Sequence, residues 1–176
     1  MRHLKDTDVV TSARWIKGFR GANGALQWLC TNTRPDLSAD TSISAGTSGS
    51  GITKASILNA QKVIRKAHAR INVEIKIRPI DTKDLRFSAF HDAGWASRPD
   101  GSSHGGYIIA ACHKDLFDDK QAGVSVLDWK SWKLKRVCRS GLSAECQAMA
   151  EDQGQSQFCS SVLGSADWTC ISSGED

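Results

Sequence analysis

The chain has 176 residues and a formal net charge of +4, with 40% hydrophobic and 24% charged residues. This length fits one domain or parts of two, and the composition is that of a globular protein that needs no disulfides to fold. The sequence shows neither an apolar run of roughly 18 residues, as in a membrane span, nor the apolar segment of a secretory signal. We therefore expect an intracellular chain with no membrane partner.

The charge is distributed unevenly along the chain. Residues 1–86 carry 15 Lys and Arg against 7 Asp and Glu, a net of +8, whereas residues 87–176 carry 8 against 12, a net of −4. The basic half is consistent with a polyanionic partner such as nucleic acid, although ordinary variation in surface charge explains the same numbers. The six cysteines include no C-x-x-C pair and lack zinc-ligand spacing, so we expect reduced thiols.

The first half of the sequence predicts mainly helices. Apolar residues at three- and four-residue steps predict a helix over 11–30, and the small polar residues of 41–53 predict a loop. Thr53 is placed to cap a second helix that ends near residue 69. The alternation in 71–78 predicts a half-buried strand, and a polar joint follows at 81–84.

The second half predicts a sheet followed by a helix. Predicted strands cover residues 87–91, 106–112, 124–129 and 132–138. Ser143 is placed as the N-cap of a helix that continues to about residue 163, and residues 164–176 show no period. An antiparallel meander with a helix packed on it would bury the apolar faces of both.

Two carboxylates stand where a strand and a helix can converge. Asp92 follows the predicted strand 87–91, and Glu145 lies in the first turn of the predicted helix. Paired carboxylates without histidine or cysteine ligands suit Mg²⁺, and two such ions promote phosphodiester hydrolysis. From spacing alone, a solvated aspartate and a glutamate favoured by the helix dipole explain both residues more simply. His91 and His104 flank the pair, and hydrogen bonding is their simpler interpretation.

A basic stretch without acids covers residues 129–139. Its cations are Lys130, Lys133, Lys135, Arg136 and Arg139. Lysines neutralise phosphates, and the indoles of Trp129 and Trp132 can stack on bases. Alternatively, the lysines protect an exposed strand from aggregation and the tryptophans belong to the core. We expect core positions for the tryptophans and a duplex-facing position for the cations.

Seven short segments of the sequence form a pattern whose order along the chain is more specific than any one segment. They are GALQWLC (24–30), TRPDL (33–37), ILNAQKVIRKA (57–67), HDAGWA (91–96), SSHGGY (102–107), DWKSWK (128–133) and SGLSAECQAMAE (140–151). In order and spacing, over about 130 residues, the chain resembles the Pol polyprotein of copia-type LTR retrotransposons. That family has related patterns such as T-R-P-D-I/L, S-D-A-D-W-A and S-S-T-E-A-E-Y-M-A-L-A-E.

The resemblance implies an α/β fold in three parts. Residues 1–80 would be the helical tail of a reverse transcriptase, and residues 86–163 an RNase H-like mixed sheet with a helix, truncated before its last strands. Residues 164–176 would be an irregular tail. The implied activity is cleavage of RNA in RNA–DNA hybrids by two Mg²⁺ or Mn²⁺ ions, held here by Asp92 and Glu145.

The resemblance also implies partners. They are an RNA–DNA hybrid or another nucleic acid and the rest of the Pol polyprotein, in a cytoplasmic particle or the nucleus. The cations of residues 130–139 and of the helix over 54–70 would follow backbone phosphates.

One departure from the family concerns the third carboxylate, which lies on the strand beyond the helix. The sequence pattern indicates no such strand here. Asp152 lies seven residues after Glu145 on the same predicted helix, so it cannot replace a carboxylate from another strand, and Asp167 lies in the irregular tail. Enzymatic activity therefore stays open between an impaired ribonuclease H-type endonuclease and a non-catalytic relic or nucleic-acid-binding module.

Overall fold

The computed structural model describes the backbone of residues 5–46, 51–163 and 168–172, and the side chains as far as residue 154. The chain divides into two compact units, Met1–Glu74 and Ile75–Asp176. The fold is mixed α/β, with helices in the first unit and a helix-backed sheet in the second. None of the helices in the described ranges combines the length and apolar surface that a membrane span needs.

The first unit consists of three helices around a small apolar core. They are α1 (Ala13–Asn32), α2 (Ser38–Gly46) and α3 (Lys54–Ala69), with a 3-10 turn at Pro35–Leu37. Phe19 of α1 packs against Ile57 of α3, and Leu26 packs against Val63 one layer further along. The predicted helices at 11–30 and after Thr53 are thus confirmed, although part of their apolar residues, among them Leu58 and Ile64, stay exposed.

The loop predicted over 41–53 is wrong at its beginning, where α2 continues through Gly46. Thr41 and Ser44 are buried there, and the Ser44 hydroxyl donates to Asn23 Oδ1 of α1 at 3.1 Å. These contacts between distant parts of the chain compensate the low helix propensity of serine and threonine. Residues 47–50 of the predicted loop lie outside the described residues.

Polar contacts join α3 to α2 and to the turn that precedes α2. The buried Arg34 guanidinium lies 2.8 Å from Asp36 and lowers the pKa of that carboxyl, and it also donates to the Ala67 carbonyl at 3.4 Å. Lys66 of α3 lies 2.6 Å from Asp40. Part of the basic surface predicted on α3 is therefore neutralised within the unit.

The second unit is a four-stranded sheet covered by a helix. Its strands are β1 (Leu85–Gly94), β2 (His104–His113), β3 (Val124–Lys133) and β4 (Trp168–Ser172). The order across the sheet is β3-β2-β1-β4, with β1 to β3 antiparallel and β4 parallel to β1. The helix α4 (Gly141–Leu163) connects β3 to β4 and contacts β1 and β2.

Three sequence predictions need correction in this unit. The strand predicted over 71–78 is absent, because that segment pairs with no strand and instead donates from the Arg78 amide to Ser125 Oγ at 2.8 Å. The strands predicted at 124–129 and 132–138 are one strand that ends at Lys133. The tail predicted as irregular contains β4, which pairs with β1. A segment of five residues is too short for its periodicity to predict such a pairing.

The helix α4 lies against the sheet through small side chains. Ala144, Ala148 and Asp152 are all buried, and their spacing of four residues places them on one face of the helix. Ser140 caps this helix rather than Ser143, since the Ser140 hydroxyl accepts from the Ser143 amide at 3.2 Å. The cap therefore lies three residues earlier than predicted.

The capping box of α3 gives a test of the first unit. Thr53 Oγ1 accepts from the Ser56 amide at 3.2 Å, and Ser56 Oγ accepts from the Thr53 amide at 3.3 Å. We expect Thr53→Ala to lower the free energy of unfolding by about 1 kcal/mol, because the Ser56 amide loses the hydroxyl that accepts its hydrogen bond. Urea denaturation followed by circular dichroism measures this loss. Thr53→Ser keeps the hydroxyl, and an equal loss in that variant would contradict the capping role.

Candidate functional site

Asp92 lies near the end of β1 with its side chain exposed. Alternation along the strand directs it to the face opposite the buried His91. Gly106 stands opposite Asp92 on β2, so the neighbouring strand places no side chain beside the carboxylate. The Asp92 carboxylate is therefore open to solvent and to a ligand.

Glu145 reaches the same end of β1 from α4. Its Oε1 accepts a hydrogen bond from the Ala93 amide at 3.2 Å, and its side chain is half-buried. The hydrogen bond attaches the first turn of the helix to the residue that follows Asp92. Glu145 thus approaches the end of β1 from the α4 side of the sheet, whereas Asp92 is directed to the opposite face. That the two carboxylates share a ligand stays a prediction.

Asp152 lies in the core of the second unit, away from the positions of Asp92 and Glu145. It is fully buried two helical turns beyond Glu145, with Oδ2 at 3.6 Å from Nδ1 of the equally buried His91. This pair joins α4 to β1 beneath the exposed strand end. Asp152 accordingly acts as a core residue of the helix–sheet contact, and its carboxylate is directed at His91.

The fourth strand occupies the position beyond the helix but brings no carboxylate. Its residues are Trp168, Thr169, Cys170, Ile171 and Ser172. Ser172 pairs in register with His91, one residue before Asp92. The prediction that no strand follows the helix is therefore wrong, because β4 is present. Asp167, the other acid weighed in the tail, lies outside the described residues. Within the ranges that the structure describes, no group of three His, Cys, Asp or Glu side chains is placed to hold a metal.

The five cations of the basic stretch divide into two kinds. Lys130 pairs with Glu151 of α4 and lies 5.1 Å from the centre of the Trp132 ring, and Lys133 lies 2.6 Å from Asp100. The Lys133 ammonium lowers the pKa of the Asp100 carboxyl. Both lysines are therefore compensated by acids on neighbouring elements.

The other three cations follow the end of β3. Lys135, Arg136 and Arg139 are exposed, and they make no ion pair with any residue in the described part of the chain. Trp129 and Trp132 are half-buried, and Trp132 packs edge-to-face on Tyr107 at 5.8 Å. The basic surface is thus concentrated in residues 135–139, beside aromatic groups that belong partly to the core.

A hydrogen-bonded set that the sequence does not reveal lies beside this surface. His104 Nδ1 is 2.6 Å from the Arg98 guanidinium, and its Nε2 is 2.6 Å from Ser131 Oγ. Arginine offers only donors, so Nδ1 accepts and the ring proton is on Nε2. His104 therefore donates to Ser131 and cannot take its proton, which excludes a serine–histidine nucleophile in this arrangement.

No protein-family model, curated protein or solved structure matches this chain. The candidate site consequently depends on its own geometry and on the motifs in the sequence.

The His104 set predicts a pH dependence. Burial, and to a smaller extent the charge of Arg98, lowers the pKa of His104 from its ordinary 6.5. The folded state resists protonation that the unfolded chain accepts, so stability is lost as the pH falls below about 6.5. An NMR titration should give a midpoint below 6.5 for His104, and His104→Gln should lose less stability between pH 7 and 5 than the parent. A midpoint above 6.5 would contradict the assignment.

Proposed function

We propose that this chain is part of a copia-type retrotransposon Pol polyprotein, with a reverse-transcriptase tail followed by an RNase H-like unit. The unit would bind RNA–DNA hybrids and cleave their RNA strand, at a rate limited by its incomplete carboxylate set. The order of seven motifs supports this proposal. The topology supports it too, because three antiparallel strands, a helix and a further strand beside β1 follow the order that the resemblance implies.

The observation that carries the proposal is the hydrogen bond from the Ala93 amide to Glu145. It holds a helix carboxylate at the strand end that carries Asp92. An aspartate on the first strand and a glutamate on the first helix are the pair that the resemblance implies. The two residues are 53 positions apart in sequence, so local structure alone does not bring them together.

The donor set offers at most two carboxylates to one hydrated Mg²⁺, and Asp92 would reach such an ion from the sheet face opposite α4. Asp92 is open, and Glu145 keeps Oε2 for a ligand while Oε1 accepts from Ala93. Mg²⁺ commonly binds one or two carboxylates and completes its shell with water and substrate phosphate. Since β4 adds no carboxylate, the described residues do not supply a second ion with protein ligands. A bound ion would supply Lewis-acid activation of water near the scissile phosphate.

The residues of the chain itself would position the nucleic acid. Lys135, Arg136 and Arg139 lie exposed after β3 and offer charge to backbone phosphates. Lys130 and Lys133 are compensated by acids and would contribute less. This division revises the expectation that all five cations act alike.

A second candidate function is a nucleic-acid-binding module without catalysis. The observation that favours it is the composition of β4, which occupies the place of the carboxylate strand with the sequence Trp-Thr-Cys-Ile-Ser. Loss of one carboxylate removes charge and geometry from a metal site while the basic surface remains.

A cleavage assay separates the two functions. The purified chain is incubated with a labelled RNA–DNA hybrid and Mg²⁺ or Mn²⁺, beside Asp92→Asn and Glu145→Gln. If the RNase H-like proposal holds, metal-dependent cleavage falls by about 100-fold or more in each variant, because charge stabilisation at the phosphate is lost.

The matched control is Asp118→Asn, which alters an exposed carboxylate in the 3-10 turn after β2. It should leave cleavage unchanged. Salt-sensitive binding without cleavage would establish the binding module instead, and cleavage that survives Asp92→Asn would reject the assignment of the site.

The salt dependence of hybrid binding tests the division of the cations. The triple variant Lys135→Gln, Arg136→Gln, Arg139→Gln should lower the slope of log affinity against log salt by about 0.9 for each phosphate that these cations neutralise. Lys130→Gln with Lys133→Gln should change the slope much less, because these lysines are compensated within the fold. Filter binding at several salt concentrations measures both slopes, and an equal effect of the two sets would contradict the division.

A further inference from the structure

A cleft of about 310 Å³ opens between α4 and the segment that follows β3, within the second unit. Its lining combines an apolar floor with polar and charged rims: Trp132, Leu134, Lys135, Arg136, Gln147 and Glu151. The volume lies at the lower end of the range for small-molecule sites. It suits one small ligand and is too small for a duplex.

The floor of the cleft is a fixed aromatic and aliphatic surface. The Trp132 ring is held by Tyr107 at its edge and by Lys130 over one face. Leu134 is only 4% exposed. Gly105 lies directly beneath, since a Cβ there would stand 2.9 Å from Leu134 Cδ2 and 3.2 Å from Trp132 Cζ2. The Trp132 ring is therefore already ordered, so a planar apolar group that contacts its exposed part does not first have to fix this side chain.

The rims of the cleft differ in charge. Lys135 and Arg136 are exposed, and neither pairs with an acid in the ranges that the structure describes. Glu151, on the opposite rim, is paired with Lys130, whose ammonium lowers the pKa of the glutamate carboxyl. The uncompensated charge at the cleft is thus positive, which favours an anionic ligand.

Gln147 adds a directional group. Its Nε2 donates to Cys138 Sγ at 3.1 Å, which fixes the amide and leaves the carbonyl oxygen Oε1 as an acceptor. An exocyclic amine on a planar ring is the donor that such an acceptor recognises. The cleft therefore offers a planar floor, an acceptor for an amine and two cations.

We propose that this cleft binds a single unpaired nucleotide whose base carries an exocyclic amine, and we take adenine as the probe. The base would contact the exposed part of the Trp132 ring, its amine would donate to Gln147 Oε1, and its phosphate would meet Lys135 and Arg136. The proposal rests on the proposed nucleic-acid function for its biological setting, yet none of these residues belongs to the Asp92–Glu145 pair. A free nucleotide and an unpaired adenine in a single strand present the same chemistry.

The first experiment measures binding of four probes to the full chain by equilibrium dialysis. They are AMP, an eight-residue oligoadenylate, adenosine and inorganic phosphate. We expect saturable binding of AMP and the oligoadenylate, with adenosine and phosphate at least about tenfold weaker, because each lacks one half of the recognised group. Stronger binding of the oligoadenylate than of AMP identifies the single strand as the source, and the reverse identifies the free nucleotide.

The second experiment locates the site. Lys135→Gln with Arg136→Gln should weaken AMP binding about tenfold or more, whereas Lys17→Gln with Arg20→Gln, which alters exposed cations of α1, should leave it unchanged. In the unaltered chain, AMP should shift the NMR signal of the Trp132 indole N–H, which needs no variant to fold.

Three results would overturn the proposal: no saturable AMP binding, equal binding of phosphate or adenosine, or AMP binding that survives loss of both cations. The cleavage proposal fails separately. Asp92→Asn should abolish cleavage while AMP binding stays unchanged, so a defect in one site is distinguishable from a defect in the other.

Discussion

The contact between α4 and β1 is the constraint on which the candidate site depends. Ala144 and Ala148 present only methyl groups to the sheet, so the helix axis can approach it closely. Asp152 fastens the deeper end of this contact to His91, and Glu145 reaches the strand end from the first turn. Because a helix is stiff, two fixed points on one face determine where the glutamate lies relative to Asp92.

Charge compensation inside the second unit decides which part of its surface is basic. Lys130 and Lys133 extend from β3 toward acids on α4 and on the turn before β2, and these ion pairs remove most of their long-range field. Of the cations on and after β3, those in residues 135–139, beside the half-buried Trp132, therefore keep an uncompensated positive charge. A polyanion that approached β3 would meet positive charge at the end of the strand, where the cleft opens, more than along it.

The candidate site was predictable in part. Residue types and motif order pointed to Asp92 and Glu145, and the structure brings both to one end of β1. The place of Asp152 was not predictable, because helix spacing shows that it shares a face with Glu145 but not that His91 lies opposite. The pairing of Lys133 with Asp100 joins residues 33 positions apart, which no local pattern reveals.

What the sequence determined by itself is the local structure. Helices α1 and α3 follow from apolar spacing and from the Thr53 cap, and β1, β2 and the first part of β3 follow from apolar runs between turns, because these signals act within a few residues. Tertiary structure decided α2, β4 and the absence of a strand at 71–78. Each of these depends on whether a distant segment offers backbone partners or a buried surface, and that is a property of the folded chain as a whole.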